Sequence, residues 1–209
     1  TEVSGTHGIN VLMANSLMFQ RYPEHDGYDD PQLSNFYGMS MPLLKVGVPV
    51  GIVHLENLGF KMALKDTKVL IMTYSNMKPL ESKAHTYIAE WVKNGGMLIY
   101  AGRDDDPFQN ISEWWNQDGN SYSSASDHLF SLMDIDTNPS AGDYKYGKGR
   151  VRIIRQDPKE FVLKKDGAKT LISAVEDLCG GSIEMKNNFI LARGRYLLAA
   201  VLDESVSGE

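Results

Sequence analysis

Residues 68–106, KVLIMTYSNMKPLESKAHTYIAEWVKNGGMLIYAGRDDD, decide the fold. The run at 68–73 is apolar at successive positions, as expected of a strand buried on both faces. A helix follows. Pro79 suits its first turn and Glu81 the positive end of its dipole. Ala84, Tyr87, Ile88, Trp91 and Val92 form one apolar stripe at helical spacing. Lys93 complements the C-terminal end, and Gly95-Gly96 supplies a left-handed stop before a second strand at 97–100. Two strands joined through a helix run parallel. Beyond the second strand comes a polar loop, where many α/β enzymes carry a reactive residue. Here it holds Gly102, Arg103, Asp104, Asp105 and Asp106, with no Cys, Ser or His.

The same alternation extends in both directions. Residues 9–13 read as a first strand and 14–31 as a polar, turn-rich segment. Leu33, Phe36, Tyr37 and Leu44 recur at helical spacing, interrupted by Gly38 and Pro42 and stopped at Gly47. Residues 48–54 predict a second strand, and 55–67 a connection with one helical turn. Downstream, 107–125 predict a long loop with a short helix around Trp114 and Trp115. Asp127 is placed to cap a helix at 128–133. Gly147 and Gly149 flank a turn into a fifth strand at 150–155. Leu171, Ile172, Val175 and Leu178 mark a helix ending at Gly180-Gly181. The last strands, 189–192 and 196–202, predict an antiparallel hairpin around Gly194. The pattern gives an α/β three-layer sandwich with a mainly parallel sheet over residues 1–182. Residues 183–209 are a β-hairpin extension, read as the start of a following domain. Ligands of such sheets sit beyond the C-terminal strand ends. That directs attention to 14–31, 55–60, 74–78, 102–110 and 156–158.

The chain has 209 residues, enough for one core, and a net charge of -6. The acidic balance and the lack of any basic run argue against a nucleic-acid surface. No apolar run is long enough to span a bilayer. The single Cys179 excludes an internal disulfide and a multi-cysteine metal site. Its place at the end of a helix gives the wrong dipole for a nucleophile, so a buried structural thiol is expected. The opening TEVSGTHG lacks an initiator Met and predicts a mature form or a piece of something longer.

Each candidate site residue has a plain alternative. Asp104, Asp105 and Asp106 at a strand end could meet a cation or a sugar's hydroxyls. Asp106-Pro107 and Asp157-Pro158, like Asp30-Pro31, have the form of a helix cap followed by a first-turn proline. Capping is therefore expected of Asp106 and Asp157, and a solvated acidic loop of the other two. Arg103 would bind an anion or partner, or pair internally. Glu56 and Asn57 follow the second strand. Glu56 with Asp104 or Asp105 would make a carboxylate pair for glycosidic chemistry. Tyr74 follows the third strand as a further contact candidate. Trp114 and Trp115, with Tyr122 nearby, offer an aromatic platform for a sugar, although one of the two is expected in the core. The five histidines show no metal-ligand spacing; His85 is expected in solvent and His54 at the rim. No metal and no cofactor are expected.

Three stretches carry a resemblance: VGVPVGIVHLENL (46–58), KDTKVLIMTYSNMKPLESKAHTYIAEWVKNGGMLIYAGR (65–103) and YGKGRVRIIRQDP (146–158). They resemble the class I glutamine amidotransferase-like superfamily, a flavodoxin-like fold, across about 9–178. The chain is most similar to its non-catalytic members, the trimerisation-type domains of β-galactosidases and related glycan-active proteins. Working amidotransferases carry a nucleophilic Cys on an elbow after a strand, with a downstream His and acid. This chain has Ala101-Gly102-Arg103 at the elbow and Arg155-Gln156-Asp157 after the fifth strand. The resemblance therefore implies a non-catalytic assembly or accessory domain of a larger carbohydrate-processing protein. Its partners would be adjacent domains of the parent chain, a homo-oligomer, or carbohydrate. A glycan-degrading parent would imply an extracytoplasmic location. The alternatives are a small hydrolase acting on glycosides through Glu56 with Asp104 or Asp105, and a sugar-binding module.

Overall fold

The computed structural model of the chain describes residues 8–18, 33–106, 109 and 111–202. Apolar runs too short for helices become the sheet. These are β1 (Ile9–Met13), β2 (Gly51–His54), β3 (Val69–Met72), β4 (Met97–Ala101) and β6 (Gly149–Ile154), with β5 (Gly142–Tyr146) beside β6. The order is β2-β1-β3-β4-β6-β5. The first five strands of that order pair in parallel, and only β5 runs antiparallel, against β6. This is a flavodoxin-like sheet with an added edge strand. Every residue of β3 is buried, as a central strand between two helix layers requires.

One layer holds α1 (Ser34–Leu44), α4 (Glu160–Leu163) and α5 (Gly167–Cys179); the other holds α2 (Lys83–Lys93) and α3 (Ala125–Ser131). The stripe expected on α2 faces inward. Ala84, Ile88 and Val92 are buried, and Tyr87 and Trp91 are half-buried against the core. The helix starts at Lys83, however, so Pro79 lies ahead of it in the approach loop rather than in its first turn. The double glycine has two separate causes. Gly95 adopts φ 119°, whereas a Cβ on Gly96 would lie 2.3 Å from the Trp91 ring.

Other boundaries depart from the sequence expectation. Trp114 and Trp115 lie in turns, not a helix. α3 begins at Ala125, and the Ser124 side chain caps it by accepting from the Asp127 N–H at 3.1 Å. Asp127 instead accepts from the Asn138 N–H at 2.6 Å. The strand β5, GDYKY, was not expected because it has no apolar run. It is half-exposed and held to β6 partly by Asp143, which pairs with Arg150 and Arg152. Cys179 is exposed rather than buried, since it ends α5 outside the stripe of Leu171, Val175 and Leu178. The expected hairpin is present as β7 (Asn188–Arg193) and β8 (Tyr196–Val201), a separate two-stranded sheet. Every residue of β8 is exposed, including Tyr196, Leu197, Leu198 and Val201. Asp30-Pro31, Pro107 and most of the 14–31 segment lie outside the described residues.

Candidate functional site

The C-terminal edge of the parallel strands brings together the loops after β3, β4 and β6. Its charges face one another. Arg103 pairs with Asp157 at 2.9 Å and with Glu160. Burial alone would raise the Glu160 carboxyl, but Lys164 and Arg103 outweigh it and hold the group below its ordinary range. Arg103 thus pairs internally, with acids from the β6–α4 connection and the start of α4 rather than with its own neighbours. Asp104 sits at φ 58°, in the left-handed region where Asp is tolerated. One of its oxygens accepts from the Tyr100 hydroxyl, and the other pairs with Arg155 at 2.7 Å. Its side chain is only 9% exposed, so it is not the solvated loop acid that the sequence suggests. Asp105 is exposed. Partial burial first, and then neighbouring Asp157, push its carboxyl upward.

The cap expected of Asp157 is corrected, and the one expected of Asp106 falls on residues outside those described. Asp157 does not cap α4, which has no side-chain cap. It accepts from Ser75 Oγ at 2.8 Å as well as from Arg103. Asp106 is buried against Lys78, with Nζ 2.7 Å from its carboxylate; the same Nζ donates to the Tyr74 carbonyl at 2.5 Å. Burial pulls the Lys78 ammonium below the ordinary lysine range, and Asp106 opposes that pull. The loop is fixed further by Ser16, whose Oγ accepts from Lys78 N at 2.8 Å and donates to Lys78 O at 2.6 Å. Ser75 and Lys78 follow the β3 apolar run directly. Position after a buried strand was the signal that could have singled them out.

Beneath this edge runs a chain of three rings. The Tyr74 hydroxyl lies 2.7 Å from His85 Nε2, and His85 Nδ1 lies 2.8 Å from His128 Nδ1. Burial raises the Tyr74 pKa and, with Asp104 adding to it, keeps the hydroxyl protonated. A neutral His85 carries one ring proton, so it donates through one nitrogen and accepts through the other along this chain. Burial, and secondarily His128, hold His85 well below the ordinary histidine range. His85 is thus a core residue, contrary to the expectation of a solvated one. The rings of Trp114 and Tyr122 pack edge-on against His128. Trp115 is buried; Trp114 is half-buried, its Nε1 donating to the Pro79 carbonyl at 2.9 Å. The two indoles brace the α2–α3 layer and do not form an open platform.

Glu56 and Asn57 lie elsewhere along the edge, in a 3-10 turn (Leu55–Asn57) after β2. Both are exposed, and Glu56 accepts from the Asn15 N–H at 2.8 Å. Two strands separate β2 from β4, which at a spacing of ~4.8 Å puts their tips roughly 14 Å apart. Paired glycosidase carboxylates stand about 5–9.5 Å apart. Asp104 is also turned toward β6 by Arg155, away from Glu56. Glu56 instead borders a cavity of about 430 Å³ between the post-β2 turn and the start of α2.

The fold and edge define an α/β protein of flavodoxin-like topology whose strand-end charges are internally paired. No known family matches the chain. No curated protein matches it either. Among solved structures it is similar to an exo-β-1,4-mannosidase from Opitutaceae bacterium strain TAV5, at 12% identity and a TM-score of 0.45. That match covers 82% of this chain and 35% of the mannosidase chain, so the chain spans about a third of that protein.

Proposed function

We propose that this chain is a non-catalytic assembly or accessory module of a larger carbohydrate-processing protein, and a member of the amidotransferase-like superfamily it resembles. The observation that carries the reading is the state of the C-terminal edge. Arg103, Asp104, Asp106 and Asp157 are each engaged with partners from this chain. The elbow position is Ala101-Gly102-Arg103, with no nucleophile. Ser75 Oγ lies beside that elbow, but it donates to the Asp157 carboxylate, which Arg103 also binds, and not to an imidazole base. Among the described residues no histidine bonds to it, because His85 is committed to Tyr74 and His128. The carbohydrate context comes from the sequence resemblance.

The exposed apolar residues of β8 support the assembly role. A two-stranded hairpin is at best marginal alone in water, and large apolar exposure marks a contact surface. An adjacent domain of the parent protein is the partner this reading assigns to it. The test is deletion of residues 1–182 from that protein, followed by light scattering and glycoside turnover. Loss of assembly with catalytic residues intact elsewhere is the expected result. Unchanged size and unchanged activity would remove the proposal.

A further inference from the structure

The C-terminal hairpin has an open edge as well as open faces. Just beyond its paired residues, Leu202 N donates to the Asn187 carbonyl at 2.7 Å. Bonded and non-bonded pairs alternate along an antiparallel ladder. Counted from Asn187 and Leu202 through the observed register, the bonded pairs are Phe189–Ala200, Leu191–Leu198 and Arg193–Tyr196. The N–H and C=O groups of Leu197, Ala199 and Val201 therefore point away from β7, to the side where β8 has no neighbouring strand. Ile190 and Ala192, the matching outward positions of β7, are not free. The open edge of this sheet is that of β8.

Sheet edges are ordinarily blunted by charge, proline or shortness. At the two edges of the large sheet, β5 carries Asp143 and Lys145, and β2 is only four residues long. β8, YLLAAV, has six residues and no charge, proline or glycine. Both of its faces are apolar and exposed, with Tyr196, Leu198 and Ala200 on one and Leu197, Ala199 and Val201 on the other. Such an edge calls for a strand that is also uncharged and apolar on both faces. The charged β5 and the short β2 do not meet that description; a second β8 does. A two-fold axis brings a strand against its own copy in antiparallel sense. With the axis at Ala199, Leu197 faces the partner's Val201, Ala199 faces the partner's Ala199, and every outward position is bonded. An axis at Leu198 or Ala200 leaves one outward position without a strand residue opposite. The product is a four-stranded sheet, β7-β8-β8-β7, where a lone hairpin is marginal.

We propose that β8 is a self-association edge, through which two copies of this chain pair antiparallel about Ala199. The inference goes beyond the module reading: the adjacent domain keeps the faces of the hairpin, and the second copy takes its edge. A contact of this size falls at the transient end of interfaces, below about 1,200 Å². The test is sedimentation velocity of the 209-residue chain from about 5 to 500 µM, the range where so small a contact forms. A reversible rise from one chain to two, and no further, is expected. Ala199→Pro removes an outward N–H at an edge position where proline is tolerated, so the hairpin keeps its bonds to β7 while the dimer is lost. Ala199→Lys and Ala199→Glu each set like charges opposite one another and should weaken the dimer about threefold or more. An equimolar mixture of those two variants should restore it. A chain that stays monomeric, a dimer indifferent to Ala199→Pro, or growth past two copies would each overturn the inference. The module reading survives any of these results, since it stands on the deletion of residues 1–182 from the parent protein.

Discussion

At the scale of single residues, the buried polar groups carry most of the specific information. His85 has both ring nitrogens bonded and no exposure, and burial keeps it neutral. In the unfolded chain it protonates below about pH 6.5, the ordinary histidine value. The unfolded state then binds a proton the folded state does not, so stability falls as pH drops below that value. The slope for His85 approaches about 1.4 kcal/mol per pH unit until its folded pKa is reached. Thermal melts between pH 7.5 and 5.5 should show this decline, to which His128, also lowered by burial, adds in the same direction; His85→Gln, which can donate and accept but cannot titrate, should make it shallower. An unchanged slope in that variant would mean that His85 is not the titrating group. None of this was legible in the sequence. The α2 stripe did not include His85, whose burial depends on Tyr74 and His128 arriving from β3 and α3.

At the scale of elements, the centre of the sheet was readable because β3 and β4 are apolar on both faces and Gly95-Gly96 stops the helix between them. β5 was not, because cross-strand charge pairs rather than apolar residues hold it to β6. Its turn illustrates how tightly the elements interlock. Gly147 adopts φ 58°, and a Cβ there would sit 2.4 Å from the Lys93 carbonyl at the end of α2. Lys148 N donates to that same carbonyl at 2.9 Å, so the turn caps the helix. Gly147→Ala therefore combines strained backbone with a clash and should cost roughly 1–3 kcal/mol. At about 2–4 °C per kcal/mol for a chain of this size, calorimetry should register a clear drop in Tm. A variant as stable as the parent would show that the turn does not bear on α2.

At the scale of the whole molecule, sequence periodicity gave the layers and the parallel order. It could not say which strand-end charges would find one another, because those pairs join residues far apart in the chain: Arg103 with Asp157, Asp104 with Arg155, Lys78 with Asp106. It also could not separate Glu56 from Asp104, since their distance follows from two intervening strands. The central claim is that this edge is built for structure and contact rather than for reaction. The most direct measurement is turnover of a panel of aryl glycosides by the 209-residue chain and by its Glu56→Gln and Asp104→Asn variants. No turnover above buffer is expected from any of the three. Hydrolysis by the parent chain that either substitution abolishes would contradict it.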